Sequence, residues 1–176
     1  LVDKLLPEDI DRILYLDGDT LVLGSLESLW ELDMGNRSIG MGPESTVDAG
    51  RREFLGLGKQ MYCNAGVLLI DLEKWRNCKL GEKVLAYYKK HDGNLFANDQ
   101  DAINGSLKDD IYVISPKYTF PLISYKSILD IIYGSANFSA IFHISSIHFG
   151  LGNVKSLDRL ISTLLYGKNF QSRSKK

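Results

Sequence analysis

The sequence predicts an α/β domain, a mixed sheet flanked by helices, and three features carry that expectation. Arg12 to Leu16 is a β-branched and aromatic run that breaks at the polar loop Asp17-Gly18-Asp19-Thr20, as a buried strand does at its end. Ala65 to Leu72 is a near-continuous apolar run, and a strand apolar on both faces belongs inside a layered structure where helices cover it. Leu80, Val84, Leu85 and Tyr88 recur at helical spacing, which supplies an amphipathic covering element ending near Gly93.

The remaining elements follow in chain order. After Ser25 as N-cap, Leu26, Leu29, Trp30 and Met34 suggest a short helix closed near Gly35. Ser38 to Met41 reads as a short strand. Gly42 to Met61, with Pro43, Gly50, Gly56 and Gly58 among polar residues, has the composition of a lid-like loop holding a helical turn or two. The helix after Ala65–Leu72 starts within Leu72 to Trp75. Asn98 to Ile103 reads as another short helix, and Ile111–Ile114 and Ala140–Ile144 as strands. Leu157, Leu160, Ile161, Leu164 and Leu165 mark a last helix stopping at Gly167. No repeat, linker or low-complexity stretch interrupts the chain.

At 176 residues, 44% hydrophobic and 24% charged, the chain suits a single core. A formal charge of −1 argues against nucleic-acid binding, since phosphate-neutralising proteins carry a basic excess; only Lys168 to Lys176 lean basic. No stretch approaches the roughly 18 apolar residues of a membrane span. The first residues lack a signal peptide's pattern. Cys63 and Cys78 are too few for a disulfide framework and lack zinc-site neighbours, so they read as two buried thiols in a reducing, cytoplasmic setting.

The chemistry centres on Asp17-Gly18-Asp19. In an extended segment residues i and i+2 point the same way, so both carboxylates can face one ligand. Two hard oxygen donors suit Mg²⁺ or Mn²⁺ holding a phosphate group, and Gly18 lets a ligand approach the backbone. The plain alternative is a solvated turn after a strand. A phosphohydrolase built on Asp17 would need a lysine and more carboxylates at strand ends, and no second acidic pair follows an apolar strand.

The block Ile13-Leu14-Tyr15-Leu16-Asp17-Gly18-Asp19-Thr20-Leu21-Val22, followed by Leu26-x-x-Leu29-Trp30, resembles glycosyltransferase family 8, the retaining nucleotide-sugar transferases that include glycogenin and lipopolysaccharide galactosyl- and glucosyltransferases. Tyr62-Cys63-Asn64-Ala65-Gly66-Val67-Leu68-Leu69-Ile70-Asp71-Leu72-Glu73-Lys74-Trp75-Arg76 is similar to the family's Asn-Ala-Gly-Val strand and helix. Asn98-Asp99-Gln100-Asp101-Ala102-Ile103-Asn104 is similar to its Asp-Gln-Asp block. Order and approximate spacing agree over nearly the whole chain.

The resemblance implies the C-terminal portion of a GT-A, Rossmann-like nucleotide-diphospho-sugar transferase fold. Residues 1–167 would be a partial catalytic domain lacking the N-terminal nucleotide-binding part, and 168–176 a polar basic tail. It implies that Asp17 and Asp19, at the end of a central strand, ligate Mn²⁺ (or Mg²⁺) bridging a UDP-sugar diphosphate, with a late histidine as third ligand: His148, or His143 as its rival. Asn64, Asp99 and Gln100 would face donor sugar and glycan acceptor, with Asp99 and Gln100 at the reacting centre. The plain readings are a turn residue for Asn64, a helix N-cap for Asp99, and a solvated or capping acid for Asp101. The family's histidine is followed by Gly and then Lys-Pro-Trp; here the run is His148-Phe149-Gly150-Leu151-Gly152-Asn153-Val154-Lys155, so the phosphate-contacting lysine, Lys155, stands one position late and Pro-Trp is absent.

The implied reaction is retaining transfer of glucose or galactose from a UDP-sugar to a glycan acceptor in cell-surface or lipopolysaccharide-type synthesis, in a bacterial cytoplasm, with peripheral contact at the inner face of the membrane. A catalytically inactive truncated fragment or pseudo-enzyme of the same family is the alternative. Two leading βαβ units need roughly 60 residues, and only 16 residues precede Asp17. The isolated chain is therefore expected not to bind UDP-sugar appreciably, not to transfer sugar, and to expose a sheet edge.

Overall fold

The computed structural model describes residues 2–18, 20–22, 24–45, 47–116, 118–121 and 141–143. The chain divides into two units, Leu1–Phe120 with Ser139–His143, and Pro121–Phe138 with Ile144–Lys176; of the second, only Pro121 is among the described residues. The expected last helix, Leu157 to Leu165, thus lies outside them.

In chain order the elements are α1 (Val2–Leu5), β1 (Arg12–Leu16), β2 (Thr20–Val22), α2 (Glu27–Trp30), β3 (Ile39–Pro43), α3 (Ala49–Phe54), β4 (Cys63–Asp71), α4 (Leu72–Asn77), α5 (Leu80–Lys90), α6 (Asn98–Leu107), β5 (Ile111–Val113), β6 (Thr119–Pro121) and β7 (Ile141–His143). A four-stranded sheet runs β1-β4-β3-β5, with β4 antiparallel to β1 and β3, and β3 parallel to β5. The sheet is mixed, as the sequence predicts. A three-stranded sheet runs β2-β7-β6, and its register sets Thr20 opposite His143.

β4 explains its own composition: every residue from Ala65 to Ile70 is buried. Leu68 and Ile70 join Ile39, Met41, Trp75, Leu80, Ile103 and Leu107 on one face, while Val67 and Leu69 join Leu29, Met34, Ile114 and Tyr118 on the other. Alternation sorts one apolar run into two cores. Asp71 ends the strand and caps α4, its carboxylate accepting the Lys74 N–H at 2.9 Å.

Four expectations change. β1 is neither central nor buried: among the described strands it pairs with β4 alone, none of its residues is fully buried, and Tyr15 is 45% exposed. α2 is only four residues long: it starts after Leu26 at the N-cap position, with the Ser25 hydroxyl accepting the Glu27 N–H at 3.2 Å, and ends at Trp30, whose carbonyl accepts from Arg12 at 2.6 Å. Asp99 does not cap α6, whose N-cap is Ala97. Only Cys63 is a buried thiol; Cys78 is exposed at the end of α4. Among the described residues no helix is long and apolar enough to cross a membrane.

α5 and α6 approach closely at Gly105, where an added Cβ would run into the Tyr87 ring. Tyr87 packs against His91, with ring centroids 4.6 Å apart, so its ring would have to leave that contact. Gly105→Ala is expected to destabilise the fold by about 1–3 kcal/mol through overpacking. Urea unfolding with an unchanged midpoint would contradict this.

Candidate active site

β4 loses its regular neighbours at its N-terminal end. The β1 register ends at Leu16 opposite Val67, and the β3 register shifts between Met41 and Gly42, so that Gly42 faces Asn64. Backbone groups left unladdered in a buried strand need other partners. The functional blocks supply them.

Asp17, half-buried beyond β1, donates its N–H to the Gly66 carbonyl at 2.9 Å. Its own carbonyl accepts the Thr20 N–H at 3.0 Å, which closes the Asp17–Thr20 turn. The Tyr15 hydroxyl donates to Asp17 Oδ1 at 2.6 Å. A Cβ at Gly18 would meet open space, and the Thr20 hydroxyl oxygen is buried with no hydrogen bond among the described residues. Asp19 itself lies outside the described residues.

From the other side comes α6. Gln100 Oε1 accepts the Ala65 N–H at 2.9 Å. Asn104, fully buried, holds both backbone groups of Cys63, accepting its N–H and donating to its carbonyl at 2.7 Å each, and donates to the Gln100 carbonyl at 2.8 Å. Asn64 Oδ1 accepts the Gly66 N–H at 2.8 Å, the local turn bond of the plain reading, while its Nδ2 faces Glu44 Oε2 at 3.5 Å. Two adjacent residues, Ala65 and Gly66, thus join Gln100 to Asp17. All three sequence blocks meet there.

Asp99 is exposed and lines an apolar groove of about 560 Å³ beside β1, together with Ile13, Tyr15, Val84, Tyr88 and Ile103. Of the other expected site residues, His143 is placed by its backbone opposite Thr20, one residue beyond Asp19. His148 and Lys155 lie outside the described residues, as does the distance from either histidine to Asp19.

The sequence did not single out Arg51, Tyr62 or Glu44. Arg51 of α3 pairs with Asp101 at 2.6 Å, and Asp101 is 1% exposed, so of its two plain readings that acid is not the solvated one but the capping one. Its second oxygen accepts the Ala97 N–H at 3.0 Å, returning to the helix start as a capping-box residue does. The ion pair ties the segment expected to be lid-like to α6. Cys63, beside this cluster, has its thiol pushed up to about 11 by burial. A raised folded-state value leaves stability intact below the unfolded thiol's range and removes it as pH climbs through the folded value. The parent is expected to lose about 2–3 kcal/mol more than Cys63→Ala between pH 8 and 11, and parallel urea-unfolding profiles for the two proteins would refute this.

Residues 1–160 match the sequence profile of Glycosyl transferase family 8. The chain belongs to glycosyltransferase family 8. It is 34% identical over 125 residues to General stress protein A of Bacillus subtilis, covering 66% of this chain and 41% of that protein. It is 34% identical over 128 residues to Glycosyltransferase GlyE of Streptococcus pneumoniae, covering 73% and 27%. With Lipopolysaccharide 1,2-glucosyltransferase of Escherichia coli the identity is 32% over 112 residues, covering 60% and 32%. The chain therefore spans well under half the length of these relatives. Among solved structures it superposes on galactosyltransferase LgtC, in a complex with donor and acceptor sugar analogues, with TM-score 0.69 and 25% identity over 92% of this chain and 64% of that one. For the GlyE crystal structure the values are 0.59 and 27%, covering 89% and 40%. The fold is the GT-A glycosyltransferase fold, and the chain is a family 8 glycosyltransferase sequence over nearly its whole length.

In this family 8 chain the loop after β1 would offer a hard divalent cation the Asp17 carboxylate, whose Oδ1 accepts the Tyr15 hydroxyl, and the buried Thr20 hydroxyl, with open space over Gly18; among the described residues no three His, Cys, Asp or Glu side chains come together as a metal site.

Proposed function

We propose that the whole protein is a metal-dependent retaining hexosyltransferase, moving glucose or galactose from a UDP-sugar to a glycan acceptor in cell-surface or lipopolysaccharide-type polysaccharide synthesis. The observation that carries this reading is the Ala65-Gly66 junction, which brings Asp17 and Gln100 to adjacent backbone groups of one strand. The printed activities of the relatives, a lipopolysaccharide glucosyltransferase and a galactosyltransferase, support the hexose and the acceptor class.

Asp17 and Asp19, with His148 or His143 as third ligand, would hold Mn²⁺ or Mg²⁺ against the donor diphosphate. Bound there, the cation supplies Lewis-acid stabilisation of the departing phosphate, so the leaving group needs no protonated side chain. The remaining work falls to the chain's own groups. Lys155 contacts phosphate, Asn64 binds sugar hydroxyls, and Asp99 and Gln100 lie against the transferred sugar and the acceptor. A carboxamide such as Gln100 is a poor nucleophile, whereas a covalent retaining route wants a close carboxylate. This favours front-face attack by the acceptor hydroxyl, its proton passing to a diphosphate oxygen. The site works in the cytoplasm, with peripheral contact at the membrane's inner face.

The test is turnover by the product of the full open reading frame, offered UDP-glucose, UDP-galactose and GDP-mannose with a glycan acceptor and Mn²⁺. Release of UDP with an α-linked product, read by proton NMR, is expected. Preference for GDP-mannose, or a β-linked product, would overturn the reading.

A further inference from the structure

Behind Gln100 lies a relay of donors and acceptors with one consistent polarity. Asp101 Oδ1 accepts from Arg51 Nε at 2.9 Å and from the Tyr62 hydroxyl at 2.7 Å. Arg51 Nη2 also donates to the Tyr62 oxygen, and Gln100 Nε2 donates to it at 2.9 Å. A guanidinium can only donate and a carboxylate can only accept. The Tyr62 proton must therefore go to Asp101, which leaves the phenol oxygen as an acceptor towards Gln100. With Nε2 drawn to Tyr62, Oε1 is the atom turned to the Ala65 N–H. Among the described residues one N–H of Nε2 and one lone pair of Oε1 are then left for a ligand.

We propose that Tyr62 is a positioning residue for sugar transfer: its hydroxyl, oriented by the Arg51–Asp101 pair, fixes both the rotation and the polarity of the Gln100 carboxamide. The role rests on the reading of Gln100 as a substrate-facing group. Tyr62 is 1% exposed, so water does not replace the hydroxyl as a partner. Its ring and that of Phe96 lie 4.8 and 4.6 Å from the Arg51 guanidinium carbon. A phenylalanine at position 62 keeps this stacking and deletes the hydroxyl alone. Partners one step behind a working side chain commonly matter about 10–100-fold when removed.

The experiment is a double-mutant cycle in transfer rates on the product of the full open reading frame, using UDP-glucose or UDP-galactose with Mn²⁺. Tyr62→Phe is expected to lower kcat about tenfold or more, with the donor KM changed less than about threefold. In a Gln100→Ala background the same substitution is expected to cost less than about twofold, because its only route to the reaction is gone. An unchanged kcat in Tyr62→Phe, or an equal loss in both backgrounds, would overturn the proposal. Hydrogen exchange reads the contact without turnover: the Ala65 amide, held by Gln100, should exchange about tenfold faster in Tyr62→Phe, and unchanged exchange counts against positioning. If Gln100→Ala itself leaves kcat unchanged, the assignment of Gln100 falls and takes this role of Tyr62 with it. If instead Gln100→Ala is slow and Tyr62→Phe is not, only the positioning role fails.

Discussion

Asp19→Asn is expected to lower sugar transfer by about two orders of magnitude or more while leaving the unfolding midpoint nearly unchanged. Asparagine keeps the size of the side chain and removes the charge that a hard divalent cation needs from its ligand. An acid whose work is to hold a cation against a leaving diphosphate stabilises charge that develops during reaction, so its loss appears in kcat rather than in folding. Initial rates with UDP-glucose or UDP-galactose and Mn²⁺, set beside urea curves for parent and variant, decide the matter. Unchanged turnover removes Asp19 from the mechanism.

The largest effect on stability is expected at Asn104. Its carboxamide satisfies the N–H and the carbonyl of Cys63 and also the carbonyl of Gln100, in a place with no solvent exposure. Asn104→Ala strips partners from buried backbone groups, each costing about 1–3 kcal/mol when left unsatisfied. The three together come to about 3–9 kcal/mol, and for a chain of this size even the low end lowers Tm by roughly 6 °C. Asn104→Asp offers a sharper comparison, since it retains an acceptor for the Cys63 N–H but sets a carboxylate against two carbonyl oxygens. Calorimetry showing either variant within about 1 kcal/mol of the parent would mean that the β4–α6 junction does not depend on this side chain.

The extent to which the sequence foretold this arrangement differs from element to element. β4 and α5 were legible because each carries a strong period, an apolar run and helical spacing from Leu80 to Tyr88, while α4 and α6 were read as helices from Leu72 and from Asn98 without their caps. β1 was legible as a strand, and an exposed sheet edge was expected, but not that β1 forms it, since an apolar run reports a strand and not what pairs with it. α1, β2 and β6 span three or four residues, too few for any period to show. At the site, Asp17, Asn64 and Gln100 stood out through block resemblance, and the structure joins them at Ala65 and Gly66. Arg51 was hidden because a charged residue in a Gly-rich loop reads as solvated; its partner Asp101 is 50 positions away, and nothing local pairs them. Tyr62 was quoted within a block, yet its role depends on three partners from two other elements.

Metal-dependent nucleotide binding tests the central claim most directly, because it asks whether the β1 loop works with a cation independently of acceptor or sugar. UDP would be titrated calorimetrically into the product of the full open reading frame in Mn²⁺, and again after EDTA, for the parent and for Asp17→Asn. Binding by the parent in Mn²⁺, weakened at least about tenfold by EDTA and similarly by Asp17→Asn, is the expected result, a tenfold change being about 1.4 kcal/mol. Equal affinity with and without metal, or an Asp17→Asn protein that binds as the parent does, would contradict a metal-held diphosphate at the end of β1.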